Sequence, residues 1–204
     1  MSRLLLLKSS VNGQQSQTSQ LITHFYDAWK TRFSENDITV RDLVADALPV
    51  LDEQLYSAYY AVPPEQMTTE QKAAIAVSDA LIAEIKAHDV IVMAAPMYNF
   101  TIPGQLKNYF DLLIRAGLTF SYTPQGRTGL VTGKKAVILS SSGGIYENGV
   151  NDFGVPYLKV ILDFIGIQDV DVIGIDGVAQ APDAVAEKQA AAGDTITQFV
   201  RNYQ

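Results

Sequence analysis

Five short apolar runs punctuate this chain: Arg3–Lys8, Ile38–Leu43, Asp89–Ala95, Lys134–Ser140 and Val170–Ile175. Between and after them lie stretches with helical spacing. This alternation limits the fold more than any other feature. An unbroken apolar run of strand length reads as a strand covered on both faces. Thr18–Phe33 carries Leu21, Ile22, Phe25, Trp29 and Phe33 at the spacing of one helical face. Glu70–Ala87, Gly104–Ala116, Val155–Phe164 and Pro182–Tyr203 also read as helices. Ala47–Thr68, with three prolines and Tyr56, Tyr59 and Tyr60, is expected to be loop with a short helix. Phe120–Leu130 reads as a hairpin-like excursion around Pro124–Gly126. Strands alternating with helices predict an α/β fold with a parallel sheet and helices on both faces. A single domain over 1–204 is the expectation.

Ligands in such sheets bind outside the carboxyl ends of the strands. The loops after the first, third and fourth runs read SSVNGQQSQTS, PMYNFTIPG and SSSGGIYENG. In Leu4–Gln20, the first run and its loop, Lys8 is the only charge. Ser10 sits at the strand end, and Ser16, Gln17 and Thr18 where the next helix begins. A helix N-terminus offers unpaired N–H groups and partial positive charge, so it suits an anion. The alternative is that Ser16 or Thr18 only caps the helix. Neither GxxxxGK[ST] nor GxGxxG is present, which favours a monophosphate over a triphosphate or a dinucleotide pyrophosphate. In the second loop Met97, Tyr98, Asn99 and Phe100 crowd large side chains and one amide onto a strand end, which suits a flat aromatic ligand. They could instead be satellite core. In the third, Gly143 and Gly144 let a ligand approach the backbone, and Ser141 and Ser142 add small polar groups. A plain turn is the alternative. A phosphate seat, an apolar platform and a Gly-Ser rim on one sheet edge together describe FMN.

The net charge of −7 argues against a nucleic-acid surface. With no Cys there is no disulfide or thiolate nucleophile, and His24 and His88 are too few and too distant to suggest a metal site. Neither a signal-peptide pattern nor a membrane-length apolar run is seen, so a soluble, cytoplasmic protein without membrane partners is expected.

LLLLKSS, SQTSQL, ITVRDL, KAHDVIVMAAPMYNFTIPGQLKNYFD, RAGLTFSYT, GLVTGKKAV, SSSGGIY and FIGI, in that order, resemble the FMN-dependent NADH:quinone oxidoreductase and azoreductase family along nearly the whole chain. The MYNF block is the most specific part. The resemblance implies a flavodoxin-like fold, a five-stranded parallel sheet of order 2-1-3-4-5, and a homodimer with FMN sites near the subunit interface. It implies that Ser10, Ser16, Gln17 and Thr18 carry the phosphate. Met97, Tyr98, Asn99 and Phe100 would frame the isoalloxazine, and Ser141, Ser142, Gly143 and Gly144 its pyrimidine side. Tyr122, and Phe164 from a partner subunit, would line the substrate space with Asn99 and Phe100. Ser142 departs from an Arg often found in the family, and Tyr146 from a His; the first removes a fixed positive charge near the flavin edge.

The activity so implied is two-electron reduction of quinones, and reductive cleavage of azo compounds to amines, by a ping-pong scheme. NADH or NADPH is the donor; quinones, azo compounds and nitroaromatics are candidate acceptors. The flavin carries the hydride, so no catalytic side chain is assigned. A flavodoxin-like electron carrier without its own NAD(P)H turnover would need the same FMN loops, but not the extra walls at Ala47–Thr68 and Phe120–Leu130. Arg127 could attract an anionic substrate or simply be exposed. The Tyr56, Tyr59, Tyr60 cluster is read as packing on a partner subunit, with a mobile wall of the substrate site as the alternative.

Overall fold

The structure, a computed structural model, describes residues 2–60, 62–146 and 150–203. In chain order the strands are β1 (Leu4–Lys8), β2 (Ile38–Asp42), β3 (Val90–Pro96), β4 (Phe120–Thr123), β5 (Gly126–Gly129), β6 (Lys135–Ser141) and β7 (Asp169–Ile175). The helices are α1 (Gln17–Lys30), α2 (Glu53–Tyr60), α3 (Thr69–Ala87), α4 (Gly104–Leu113), α5 (Gly154–Ile165) and α6 (Val185–Asn202). Five strands form one parallel sheet of order β2-β1-β3-β6-β7, and β4 and β5 pair separately as an antiparallel hairpin. Counting only the sheet strands, this is the expected order 2-1-3-4-5.

The apolar runs are unbroken because each feeds two cores. Side chains alternate across a strand. Leu5 and Leu7 of β1, Ile91 and Met93 of β3, and Ile138 of β6 share one core with residues of α3, α4 and α5. Leu4 and Leu6, Val90 and Val92, and Val137 and Leu139 share the other with α1 and α6. Every residue of β3 is buried. The edge strands differ: β7 exposes Asp169 and Asp171, both of which meet Lys135, and charged edges resist pairing with stray strands.

The proline-rich excursion holds α2, and Thr68 and Gln71 form a reciprocal capping box that starts α3. Tyr59 packs on Arg115, whose guanidinium lies 4.9 Å from its ring centre, while Tyr56 and Tyr60 are exposed. Among the described residues no helix is long and apolar enough to cross a membrane.

The hairpin is bolted to the C-terminal end of α5. Arg127 donates to the carbonyls of Asp163 (3.0 Å) and Phe164 (2.6 Å) and pairs with the Asp163 carboxylate (2.9 Å). It therefore gives a partner to the Phe164 carbonyl at the helix end and adds a second donor to that of Asp163, which also accepts from the Gly166 N–H; its charge is committed there rather than offered to a substrate. Phe120 meets Phe164 at 4.6 Å between ring centres. Gly129 lies so close to Gly166 that a Cβ on it would stand 2.2 Å from the Gly166 nitrogen. Gly129→Ala is expected to cost at least about 2 kcal/mol, because backbone rather than a flexible side chain would have to yield. Urea unfolding midpoints of the two proteins measure it; equal midpoints would mean the hairpin is not seated as described.

Candidate functional site

The carboxyl ends of β1, β3 and β6 carry the three polar loops, and the sheet register brings them together. Pro96 pairs with Ser141, and the Met97 N–H donates to the Ser141 carbonyl at 2.7 Å, carrying the ladder one step past the strand. The Ser142 N–H likewise donates to the Ile175 carbonyl at 3.0 Å. The Ser9 hydroxyl donates to the Ala94 carbonyl at 2.6 Å. The Ser10 and Tyr98 hydroxyls lie 3.0 Å apart, and the Val11 N–H donates to the Tyr98 hydroxyl at 3.2 Å. These bonds fix the first loop to the second.

At their junction lies a cleft with two lobes that share Met97, Ser141 and Ser142. The smaller, about 180 Å³, is walled by Ser16 and Gln17 on one side and by Met97, Tyr98 and Gly143 on the other. The larger, about 340 Å³, has Met97, Ile102 and Val155 as apolar wall and Ser140–Ser142 as polar edge. Asp152 also lines it and starts α5, its carboxylate accepting from the N–H groups of Gly154 (2.9 Å) and Val155 (3.2 Å).

The smaller lobe meets the N-terminus of α1, where Ser16 sits at the cap position but makes no capping bond with its side chain. Its hydroxyl instead lies 3.0 Å from that of Thr18, which is fully buried. The alternative of simple capping is therefore not what the geometry shows. A helix start that no side chain caps, beside two paired hydroxyls, suits an anion. The nearby cation does not compete: Lys8 is held 2.6 Å from the Asp42 carboxylate. Burial pushes that carboxyl up, but the Lys8 ammonium and the N–H groups of Ala45 and Val44 outweigh it and hold it below its ordinary range. A phosphate monoester fits this neutral seat, and the adjoining lobe, apolar on its wall and polar on its edge, fits a heteroaromatic ring.

The second loop is strained. Tyr98 and Thr101 bond each other through both backbone pairs, a tight turn whose central residues Asn99 and Phe100 have φ of 49° and 70°. Asn tolerates the left-handed region; a bulky residue does not adopt it without a reason. The Phe153 N–H donates to the Phe100 carbonyl at 2.9 Å and helps hold the turn. Phe100 is left 51% exposed at the rim.

The expected residues divide as follows. Ser16, Gln17, Met97, Tyr98, Ser141, Ser142 and Gly143 line the cleft. Thr18 stands behind Ser16, and Asn99 and Phe100 form the exposed turn at the rim. Ser10 is buried with its hydroxyl turned to Tyr98 and the Asn12 N–H, so it braces the two loops. The Gly144 carbonyl accepts the Ser142 hydroxyl at 2.8 Å. Tyr122 and Phe164 are elsewhere. α5 starts beside Phe100 and ends at the hairpin, so Phe164 lies about 15 Å down the helix axis from its start. Neither ring lines its own chain's cleft. Tyr146, noted in the sequence only as a departure from a family His, lines the cleft, and so do Asp152, Val178 and Ala179, which sequence reasoning passed over. Asp152, one residue before the Phe153–Gly154 start of α5, carried a capping signal; Val178 and Ala179 had none. Glu147–Gly149 of the third loop lie outside the described residues.

The chain matches a family model described as "flavodoxin-like fold" over residues 2–200. It is 51% identical over 200 residues to the FMN-dependent NADH:quinone oxidoreductase of Yersinia enterocolitica, covering 98% of this chain and 99% of the relative. It is 50% identical over the same length, with the same coverage, to the enzyme of that name from Escherichia coli O157:H7. The chain belongs to the FMN-dependent NADH:quinone oxidoreductase and azoreductase family. Among solved members, an azoreductase from Bacillus anthracis superposes with a TM-score of 0.91 at 27% identity, covering 100% of both chains. An FMN-dependent NADH-azoreductase from the same organism, solved in complex with FMN, gives 0.84 at 25% identity, covering 98% of this chain and 100% of that one.

In this chain's cleft the backbone strain sits at Phe100. Phe100→Gly relieves a left-handed non-glycine residue but gives up the buried half of the ring. Strain relief of about 1–3 kcal/mol is offset by the entropy cost of glycine and the lost burial, so stability is expected to stay within about 1 kcal/mol of the parent. Thermal unfolding measures it; a large fall in melting temperature would show that the ring contributes more to the fold than its strain removes.

Proposed function

We propose that this protein is an FMN-dependent oxidoreductase that reduces quinones with NADH and cleaves azo compounds to amines. The observation that carries it is the neutral, side-chain-uncapped start of α1 facing a cleft with an apolar wall and a Ser-Gly edge. Residues 1–204 act as one FMN-binding unit. Ser16, Gln17 and the N-terminal N–H groups of α1 hold the phosphate, and Thr18 orients the Ser16 hydroxyl. Met97, Tyr98 and the Asn99–Phe100 turn frame the ring, with Ser141–Gly144 along its polar edge. Bound there, FMN supplies the two-electron hydride chemistry that no side chain of the chain can.

The chain's own part is to bind, orient and exclude water. Aromatic and thioether walls accept many flat molecules without strict selection. Donor and acceptor use the same slot in turn, which gives a ping-pong order. A quinone takes two electrons and two protons and leaves as the quinol, for one NADH and one proton from solvent. An azo bond takes four of each, and so two such cycles, before two amines leave. NADPH is an alternative donor, and nitroaromatics are further acceptors.

Tyr122 is 75% exposed, and Val160 and Phe153 also leave apolar surface on and beside α5. We read this face as the surface of a homodimer in which Tyr122 and Phe164 of one copy complete the slot of the other. A cytoplasmic location fits a donor such as NADH.

Ser16→Ala is expected to raise the FMN dissociation constant roughly tenfold while leaving riboflavin, which has no phosphate, within twofold; one charge-assisted hydrogen bond is worth about 1.5–3 kcal/mol. Fluorescence titration of the apoprotein reads both, and equal losses for the two flavins would remove the phosphate from this seat. Anaerobic NADH is expected to bleach the yellow holoprotein one to one, with parallel double-reciprocal plots when a quinone is added. A flavin that NADH cannot bleach would favour the electron carrier. Sedimentation should give twice the chain mass.

A further inference from the structure

Two helices begin at the cleft, and their starts differ in charge. α1 opens on the smaller lobe with no side chain capping it. α5 opens on the larger lobe through Gly154 and Val155, and the half-buried Asp152 carboxylate already accepts from both N–H groups, at 2.9 and 3.2 Å. A carboxylate carries a whole negative charge, against roughly half a positive charge at a helix start. The first lobe therefore favours an anion and the second resists one.

Nothing else in the larger lobe offsets Asp152. Asp176, at the end of β7, also lines it, but Lys188 holds that carboxylate at 2.6 Å and lines neither lobe. Among the described residues, no Lys, Arg or His lines either lobe. The remaining titratable groups are two phenols: Tyr98, bonded to Ser10, and Tyr146, packed edge-on against Phe100 with ring centres 6.2 Å apart.

We propose that Asp152 is a positioning residue for a proton: its charge makes the ring lobe retain the neutral, doubly protonated form of the two-electron-reduced flavin. This rests on the FMN reading and deepens it. Free in water, a reduced flavin gives up its N1 proton near neutral pH. A hydride from NADH brings two electrons and one proton, so the neutral form takes one further proton from solvent. Asp152 opposes loss of that proton by like-charge repulsion, which shifts such an equilibrium about tenfold or more. Both protons are then in place before the acceptor arrives, and a quinone leaves as the quinol without drawing one from water.

The test is the two-electron midpoint potential of the FMN-loaded protein across pH, titrated anaerobically with dithionite and indicator dyes, so that no turnover is needed. One proton per two electrons is worth about 30 mV per pH unit, and two are worth about 59 mV. The wild-type slope is expected near the larger value up to a break at which it halves. In Asp152→Asn, which can still accept from the two N–H groups, the break is expected about one pH unit lower. Asp152→Glu, which keeps the charge on a side chain less suited to capping, should keep the wild-type break. A purely structural cap predicts the reverse, with Asn like the wild type and Glu displaced, and that order overturns the proposal. Breaks that coincide within about twofold in proton concentration for all three proteins overturn it, as does a wild-type slope near the smaller value throughout. A protein that takes up no FMN overturns the flavin reading and this inference together. One that NADH bleaches, but whose variants show coincident breaks, overturns this inference alone.

Discussion

Burial of β1, β3 and β6 on both faces is the constraint on which the rest of the structure depends. Leu4–Leu7 divide alternately between two cores, and β3 has no exposed residue. A strand covered on both faces has no room for polar side chains along its length. Polar groups can gather only where the strands end. The Ser9 hydroxyl marks the boundary: it is fully buried and bonds the Ala94 carbonyl. Beyond it the chain can hold a ligand. The same ladder that builds the sheet then carries Met97 onto Ser141 and Ser142 onto Ile175, so the loops inherit their positions from strand register.

The cleft uses few charges. Lys8, the one cation of the opening stretch, is drawn to Asp42, and what faces the small lobe is the start of a helix with neutral hydroxyls. A helix end is a fixed partial charge that needs no counter-ion and no side-chain ordering to act. Rigidity elsewhere is obtained by strain. Phe100 in the left-handed region is a local cost that the surrounding bonds from Thr101 and Phe153 maintain. Stabilised in this way, an aromatic ring stands at the rim.

α5 separates the Phe100 turn from the hairpin, which the sequence places 20–29 residues apart. Its start touches the Phe100 turn; its end is capped by Arg127 and meets the hairpin. Tyr122 and Phe164 therefore lie at the far end from their own cleft, and a role at a substrate slot requires a second copy. Arg127, an open question from its position in the sequence, is answered by three bonds to Asp163 and Phe164.

Much was legible beforehand. The strand runs, the hairpin and the cleft loops at Ser16–Thr18, Met97–Phe100 and Ser141–Gly144 follow from local apolar patterning, turn residues and family likeness. These signals depend on near neighbours in the chain, so each segment carries its own. What could not be read were partnerships between distant segments. Ser10 turns to Tyr98, 88 residues away; Tyr146 meets Phe100; Asp152, Val178 and Ala179 arrive at the cleft from other elements. No local pattern encodes such meetings, because they follow from register, from helix length and from which face each loop leaves. By itself the sequence determined a doubly covered parallel sheet with a neutral phosphate-suited loop, since burial and the absence of charge are properties of residue type. Only the tertiary structure decided which hydroxyls face the cleft, which brace it, and that Tyr122 and Phe164 point away from it, since those depend on where a folded backbone directs each side chain.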